Sequence, residues 1–520
     1  MTTTHEHYVQ QLLTRFDADP ERTAVISGEV LHSAGELAAA TRRAAAAMDR
    51  QGVTRGDVVG ILTEPNTAAT LILQWAANFV GATAAHMRWI HPGEPDDELR
   101  AELHRALSSV AGVRLLAVDQ ANEARARDLV ADVADRPVVA VLGAGQPGSV
   151  DLTAGAEDVA PCPDIADGDL AVVTQIRLMS GRNGVCWTFG VKNDMATAAP
   201  WPPPATGRST FLITAPLIHS DGFGADDTLV SGGVVVLHPG FDAAAVLRAI
   251  ARHRITRLFL GMPQLLALAA HPDRAGTDTS SLTELFYTGT AAVPERLREV
   301  QEAFGPALIQ VYGTGEAGVV TLRASGEPDT DGDVGRPVHP DALSIRHPET
   351  GVALPDGEVG EVCAIPRWPS AGYWHEAKLP TPLVRDGWLH TGDLGHLDAG
   401  GRLHLIGRLS ELMHINGVPI HPEVVEKVLS RAPGVAQAAV CGVEDTDRVA
   451  HIYAAVVPEP DTVVDVAQLR RRVAEALSDH HVPGLIEIRR SLPKTGWGKP
   501  DRVQLQVAAR AALTRPVSRV

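Results

Sequence analysis

Two hydrophobic patterns alternate along the chain. Short runs rich in Val, Ile, Leu and Phe are separated by Ala-, Leu- and Arg-rich stretches with the three-to-four-residue period of amphipathic helices. The run Val58–Thr63 predicts a buried strand, Thr67–Phe79 a helix and Leu115–Val118 the next strand. Runs at 208–214, 233–237, 256–260 and 284–287 predict further buried strands, with helices at Ala243–His253 and Pro294–Phe304. Apolar strands alternating with helices at this spacing imply parallel sheets covered by helices.

The pattern changes after about residue 335. Across 341–365 and 386–408 the runs shorten and are punctuated by Gly and Asp turns, which predicts antiparallel strands. Beyond Arg408 a helix is expected near Pro422, because Pro at the first helical position costs no hydrogen bond. Strands at 437–442, 450–457 and 485–489 and a helix at 465–478 complete this tail. The expected fold class is therefore α/β. A large N-terminal domain, 1–409, holds two helix-covered sheets and a β-barrel-like subdomain at about 335–409; a small, mobile α+β C-terminal domain spans 410–520. No fixed-period repeat is visible, which argues against a solenoid or propeller.

Composition narrows the function. A length of 520 residues suits two or three domains. Lys+Arg 46 against Asp+Glu 63 gives a net charge of −17, so no general grip on nucleic acid or a membrane surface is expected, although a local basic pocket for phosphate remains open. Aromatics at 4% argue against base-stacking platforms. The N-terminus lacks the pattern of a secretory signal, and no run approaches the roughly 18 apolar residues of a membrane span. Cys162, Cys186, Cys363 and Cys441 lie far apart, which predicts reduced thiols in a cytoplasmic protein and no zinc site.

Four segments carry candidate chemistry. They are Ser180-Gly-Arg-Asn-Gly184, Tyr312-Gly-Thr-Gly-Glu316, Trp388-Leu-His-Thr-Gly-Asp-Leu-Gly395 with Gly407-Arg408, and Pro493-Lys-Thr-Gly-Trp-Gly-Lys499. Any one alone carries little weight. In this order, on a large body with a small tail, they make the chain resemble the adenylate-forming superfamily of acyl- and aryl-CoA synthetases, peptide-synthetase adenylation domains and beetle luciferases. The resemblance covers nearly the full length.

The resemblance implies roles for particular residues. Asp393 would accept the two ribose hydroxyls of ATP, a task suited to a carboxylate presented by a glycine turn. Arg408 would serve the same ribose or a phosphate, and Ser410 would be the residue about which the tail rotates. Many relatives have Asp or Lys at that hinge. Glu316 would hold the Mg²⁺ that accompanies ATP, Tyr312 would stack near the adenine, and Thr314 would line the bend. Lys499 would bring a late positive charge to the α-phosphate and the attacking carboxylate. His219 matches a position bordering the acid pocket, where it would orient the carboxylate or gate a pantetheine tunnel.

The phosphate-binding loop departs from the family pattern. One register aligns Ser180, Gly181 and Gly184 with the usual Ser-Gly-x-x-Gly and puts Trp187 where the loop lysine belongs. The other anchors the end of the loop on Gly184-Val185 and puts Asn183 there. Neither leaves a lysine, and Arg182 is the candidate substitute for its charge.

The implied activity is ATP- and Mg²⁺-dependent conversion of a small aryl or acyl carboxylic acid to its adenylate, by an AMP-forming acid–thiol ligase. Transfer would follow to a thiol such as CoA, to an amine or to a carrier protein. Three alternatives share the fold: an ATP/nitrite-dependent diazotase, an amide synthetase, and a non-adenylating acyl-binding or acyltransferase homologue.

Overall fold

The structure is a computed structural model. It describes residues 6–87, 112–131, 133, 136–157, 160–161, 164–174, 184–197, 208–217, 220–289, 294–324, 326–327, 332–374, 384–415, 418–444, 450–493 and 500–513.

Among the described residues two large sheets form the body. The first has nine strands and runs, edge to edge, through Arg336–Pro337, Gly318–Ala324, Leu308–Thr314, Glu284–Thr288, Arg257–Gly261, Thr210–Ile213, Val234–Leu237, Thr23–Ser27 and Val30–Ser33. Its middle is parallel and its two ends are antiparallel. The second has eight strands: Gly372–Tyr373, Val185–Thr188, Leu170–Thr174, Thr83–His86, Val58–Leu62, Val113–Asp119, Val138–Leu142 and Val150–Asp151. The strands expected at 58–63, 115–118, 208–214, 233–237, 256–260 and 284–287 all form within a few residues of those bounds; the predicted helices Ala243–His253 and Pro294–Phe304 form as stated, and the one predicted at Thr67–Phe79 forms as Ala68–Phe79.

Local chemistry explains individual elements. The helix Ala34–Arg50 starts at Ser33, whose hydroxyl accepts the Glu36 N–H while the Glu36 carboxylate accepts the Ser33 N–H. Its alanines let it pack closely against Ala68–Phe79, which is buried on nearly every side. The Trp75 indole donates to Asp226 at 2.9 Å, and Asp226 also pairs with the buried Lys192 at 2.6 Å. A buried charge held this way is tolerable only because it is paired and hydrogen-bonded.

The antiparallel region predicted after residue 335 is present. Leu343–Arg346, Gly360–Ala364, Trp388–Leu397, Val384–Arg385 and Leu403–Arg408 form a five-stranded sheet. Backbone bonds between Leu403–Leu405 and residues 332–335 continue it toward the nine-stranded sheet. The tail contains Pro422–Ser430, Val466–Ala476 and a three-stranded sheet of Val435–Glu444, Ala450–Pro458 and Leu485–Ile488, as expected from the pattern. Among the described residues no helix is long and apolar enough to cross a membrane. Cys186, Cys363 and Cys441 are buried free thiols, and Cys162 lies outside the described residues.

Candidate active site

Asp393 sits on the strand Trp388–Leu397 at a break in its pairing with Gly360–Ala364. Glu361 faces Leu394 and Cys363 faces His390, so the three residues Thr391, Gly392 and Asp393 stand opposite the single Val362. This is a bulge, and Gly392 turns it with a φ of +74°, where other residues are strained. The Thr391 hydroxyl donates to the Val362 carbonyl at 2.8 Å and accepts the Asp393 N–H at 3.1 Å. Asp393 is then carried directly opposite Arg408 of Leu403–Arg408.

Two side chains orient the carboxylate. Arg408 Nε lies 3.0 Å from Oδ1, and the Tyr312 hydroxyl donates to Oδ2 at 2.8 Å. Asp393 is mostly buried, whereas Arg408 is 44% exposed and can shift toward a ligand. Burial raises the Tyr312 phenol well above its ordinary value, and the Asp393 charge adds to that, so the hydroxyl remains a donor. The Tyr312 ring belongs to the apolar cluster with Ala317, Val320 and Val334. At 8% exposure it offers little face for the adenine stacking expected from the sequence. Its hydroxyl, not its ring, reaches the site.

Glu316 lies in the connection between the paired strands Leu308–Thr314 and Gly318–Ala324, so it caps a hairpin and does not open a helix. The Thr314 hydroxyl accepts the Ala317 N–H at 3.0 Å and closes this turn. Glu316 Oε1 accepts the Tyr373 hydroxyl at 2.7 Å. Tyr373 belongs to Gly372–Tyr373, the strand that pairs with Val185–Thr188 where the chain leaves the phosphate loop. One hydrogen bond thus joins the edge of the eight-stranded sheet to the hairpin of the nine-stranded sheet. Sequence reasoning missed Tyr373. A two-residue strand has no periodicity, and the only signal was an aromatic residue after Gly372.

Gly184 ends the phosphate loop at φ +55°, and its carbonyl accepts the Trp374 N–H at 2.8 Å. A Cβ there would come within 2.6 Å of Val173, so only glycine fits the base of the loop. Val185 enters a strand at once, and Trp187 within it is buried. The register that put Trp187 at the lysine position would therefore place that position inside the sheet. The register on Gly184-Val185, with Asn183 at the lysine position, agrees with the strand. Lys192, farther on, is committed to Asp226 in the core and is not the missing cation.

Ser410 sits in the single turn Leu409–Glu411 between Leu403–Arg408 and Met413–Ile415. Ser180, Gly181, Arg182, His219 and Lys499 lie outside the described residues. The chain leading to His219 is anchored by Asn66, whose side chain donates to the Ala215 and His238 carbonyls at 2.8 and 2.7 Å and accepts the Leu217 N–H at 3.0 Å. The structure therefore brings Asp393, Arg408 and Tyr312 together and places Glu316 four residues beyond Tyr312, beside the exit of the phosphate loop.

The sequence profile described as AMP-binding enzyme matches residues 13–174 and 182–374. The profile for the AMP-binding enzyme C-terminal domain matches 424–499. The chain belongs to the AMP-binding, adenylate-forming enzyme family. The first profile passes over 175–181 and resumes at Arg182, so its match includes both candidate positions of the missing loop lysine, Asn183 and Trp187.

Relatives of this adenylate-forming chain include a feruloyl-CoA synthase of Amycolatopsis sp, 31% identical over 92% of this chain and 94% of that protein. A medium/long-chain-fatty-acid–CoA ligase of Mycobacterium tuberculosis is 33% identical over 68% of this chain, which spans 64% of that protein. Among solved structures, the amide bond synthetase McbA from Marinactinospora thermotolerans is 32% identical, with a TM-score of 0.83, covering 96% of this chain and 99% of that one.

Proposed function

We propose that this chain is an AMP-forming ligase that activates a small aryl or acyl carboxylic acid with ATP and then passes the acyl group to a thiol such as CoA. The observation that carries the reading is Asp393, aimed by its bulge and held by Tyr312 and Arg408 in a chain of the AMP-binding family. A carboxylate fixed in this way suits the paired hydroxyls of a ribose.

In the first half-reaction a carboxylate oxygen of the acid attacks the α-phosphorus of ATP. The new P–O bond forms as the bond to the bridging oxygen breaks, and pyrophosphate leaves with that oxygen. Asp393 and Arg408 hold the ribose. Lys499, from the tail, places its cation where negative charge grows. Arg182 is the candidate cation for the departing phosphates. Glu316 fits a Mg²⁺ ligand: it is a hard oxygen donor, and its Oε2 makes no bond among the described residues. Bound there, the ion would offset phosphate charge.

In the second half-reaction the thiol or amine attacks the acyl carbon and AMP leaves. Residues 410–520 form the moving part, turning about Ser410 to withdraw Lys499 and present the face around Asn416-Gly417, two residues outside the described ones. His219 borders the acid. A cytoplasmic location fits the free buried thiols. The test is pyrophosphate release with ATP and a panel of acids; no release from any acid, and no ATP binding by calorimetry, would reject the reading.

An amine as acceptor is the second reading, supported by the likeness to the amide bond synthetase across 96% of this chain. Competition between CoA and amines for the preformed adenylate separates the two. Product formation from nitrite in place of a carboxylate would instead identify a diazotase, and acyl transfer without ATP a non-adenylating homologue.

A further inference from the structure

Behind Asp393 lies a second set of titratable groups that none of these roles uses. His390 of Trp388–Leu397 and Glu361 of Gly360–Ala364 are 2% and 5% exposed, and His390 Nδ1 lies 2.6 Å from Glu361 Oε2. An ionised carboxylate only accepts, so Nδ1 carries the proton. The other oxygen, Glu361 Oε1, accepts the Gly392 N–H at 3.0 Å. Glu361 thus grips both residues that flank Thr391, while the Thr391 hydroxyl ties the middle of the bulge to Val362 and Asp393.

We propose that Glu361 and His390 are positioning residues for Asp393: they set the bulge that aims its carboxylate at Tyr312 and Arg408, and so set the affinity for the ribose hydroxyls. The proposal rests on the reading of Asp393 as the ribose ligand. Its physical basis is the bulge itself. Three residues opposite one leave a ladder with backbone groups that need other partners. The Glu361 carboxylate supplies one for the Gly392 N–H, and its other oxygen is fixed by the His390 imidazole, with the strength of charge-assisted bonds.

The ligand atoms of Glu361, Cys363 and His390 lie within 4.8 Å of one another, a spacing that also suits a cation. Against an ion, the imidazole Nδ1 already lies at hydrogen-bond length, 2.6 Å, from Glu361 Oε2. The Cys363 thiol lies 3.4 Å from the same nitrogen, and burial and then the Glu361 charge push its pKa up to about 12 in the metal-free site.

The test compares binding of ATP and 2′,3′-dideoxyATP to the full chain by calorimetry, with folding checked by thermal melting. E361A and H390F are expected to weaken ATP by about tenfold while leaving 2′,3′-dideoxyATP within about twofold, so that preference for the ribose hydroxyls collapses. E361Q is expected to recover ATP to within about threefold of the parent chain, because the Gln oxygen can accept Gly392 N–H while its amide donates to the other imidazole tautomer. Unchanged preference in E361A and H390F, or parallel loss of both nucleotides, overturns the proposal; if E361A does not fold, H390F decides. D393N separates the two claims. If D393N keeps the parent preference, the ribose reading fails. If D393N loses it while E361A and H390F keep it, only the positioning role fails.

Discussion

At the scale of the residue, the site depends on how one carboxylate is oriented. Tyr312 donates to Asp393 from within the apolar cluster, and its phenol is held protonated by burial. Tyr312→Phe leaves the packing intact and removes one bond to a charged, mostly buried group. Such bonds contribute about 1.5–3 kcal/mol, so the KM for ATP is expected to rise by about tenfold or more, with a smaller change in kcat. Steady-state kinetics with saturating acid would measure this, and an unchanged KM would show that the hydroxyl does not support the nucleotide. Asp393, Arg408 and Glu316 were legible because each stands in a short motif. Thr391 was inside such a motif, but only the structure shows its hydroxyl bridging two strands. Tyr373 and Glu361 were not legible, because the contacts that give them meaning span 57 and 31 positions along the chain.

At the scale of the element, long apolar runs were readable and short edge strands were not. The strands at Val58–Leu62 and Arg257–Gly261 are bounded by their own hydrophobicity. Gly372–Tyr373 and Arg336–Pro337 exist only because a neighbouring strand offers them hydrogen bonds. Charge networks between elements are equally invisible in a linear pattern. Arg502, the first residue of Arg502–Leu513, gathers Glu411 from the turn that holds Ser410 at 3.0 Å, and Glu423 and Glu426 from Pro422–Ser430 at 2.8 Å each. One guanidinium cannot balance three carboxylates. Burial, and then a hydrogen bond that its protonated carboxyl donates to Glu411, pushes Glu423 up to about 8. The folded protein therefore keeps a proton there that the unfolded chain releases at ordinary carboxylate pH. Stability from this group is largest at or below the unfolded value, falls as pH rises through the window up to about 8, and is level above it. Glu423→Gln is expected to flatten that fall. Thermal melting from acidic to alkaline pH, parent against variant, checks the sign; parallel curves would show that Glu423 does not titrate in this window.

At the scale of the whole molecule, the two proposed half-reactions demand different things of the same tail. Adenylation needs a cation at the α-phosphorus; transfer needs that place cleared for a nucleophile. Ser410 lies within the single turn joining Leu403–Arg408, which carries Arg408, to Met413–Ile415. A short turn with a small residue can absorb a backbone rotation without breaking a core. It also sits next to Glu411, which Arg502 ties to the base of the terminal loop, three residues beyond Lys499. A rotation at Ser410 would therefore carry Glu411, Arg502 and the attached loop as one piece. Ser410→Pro fixes φ at 410 and restricts Leu409, which removes the freedom the rotation needs. Adenylation is expected to survive within a few-fold, while transfer to CoA or an amine slows by about tenfold or more, so that acyl adenylate accumulates. A burst of pyrophosphate without matching consumption of the acceptor would register that split. Equal slowing of both half-reactions would show that the turn is only a connector, and that the tail does not alternate about this residue.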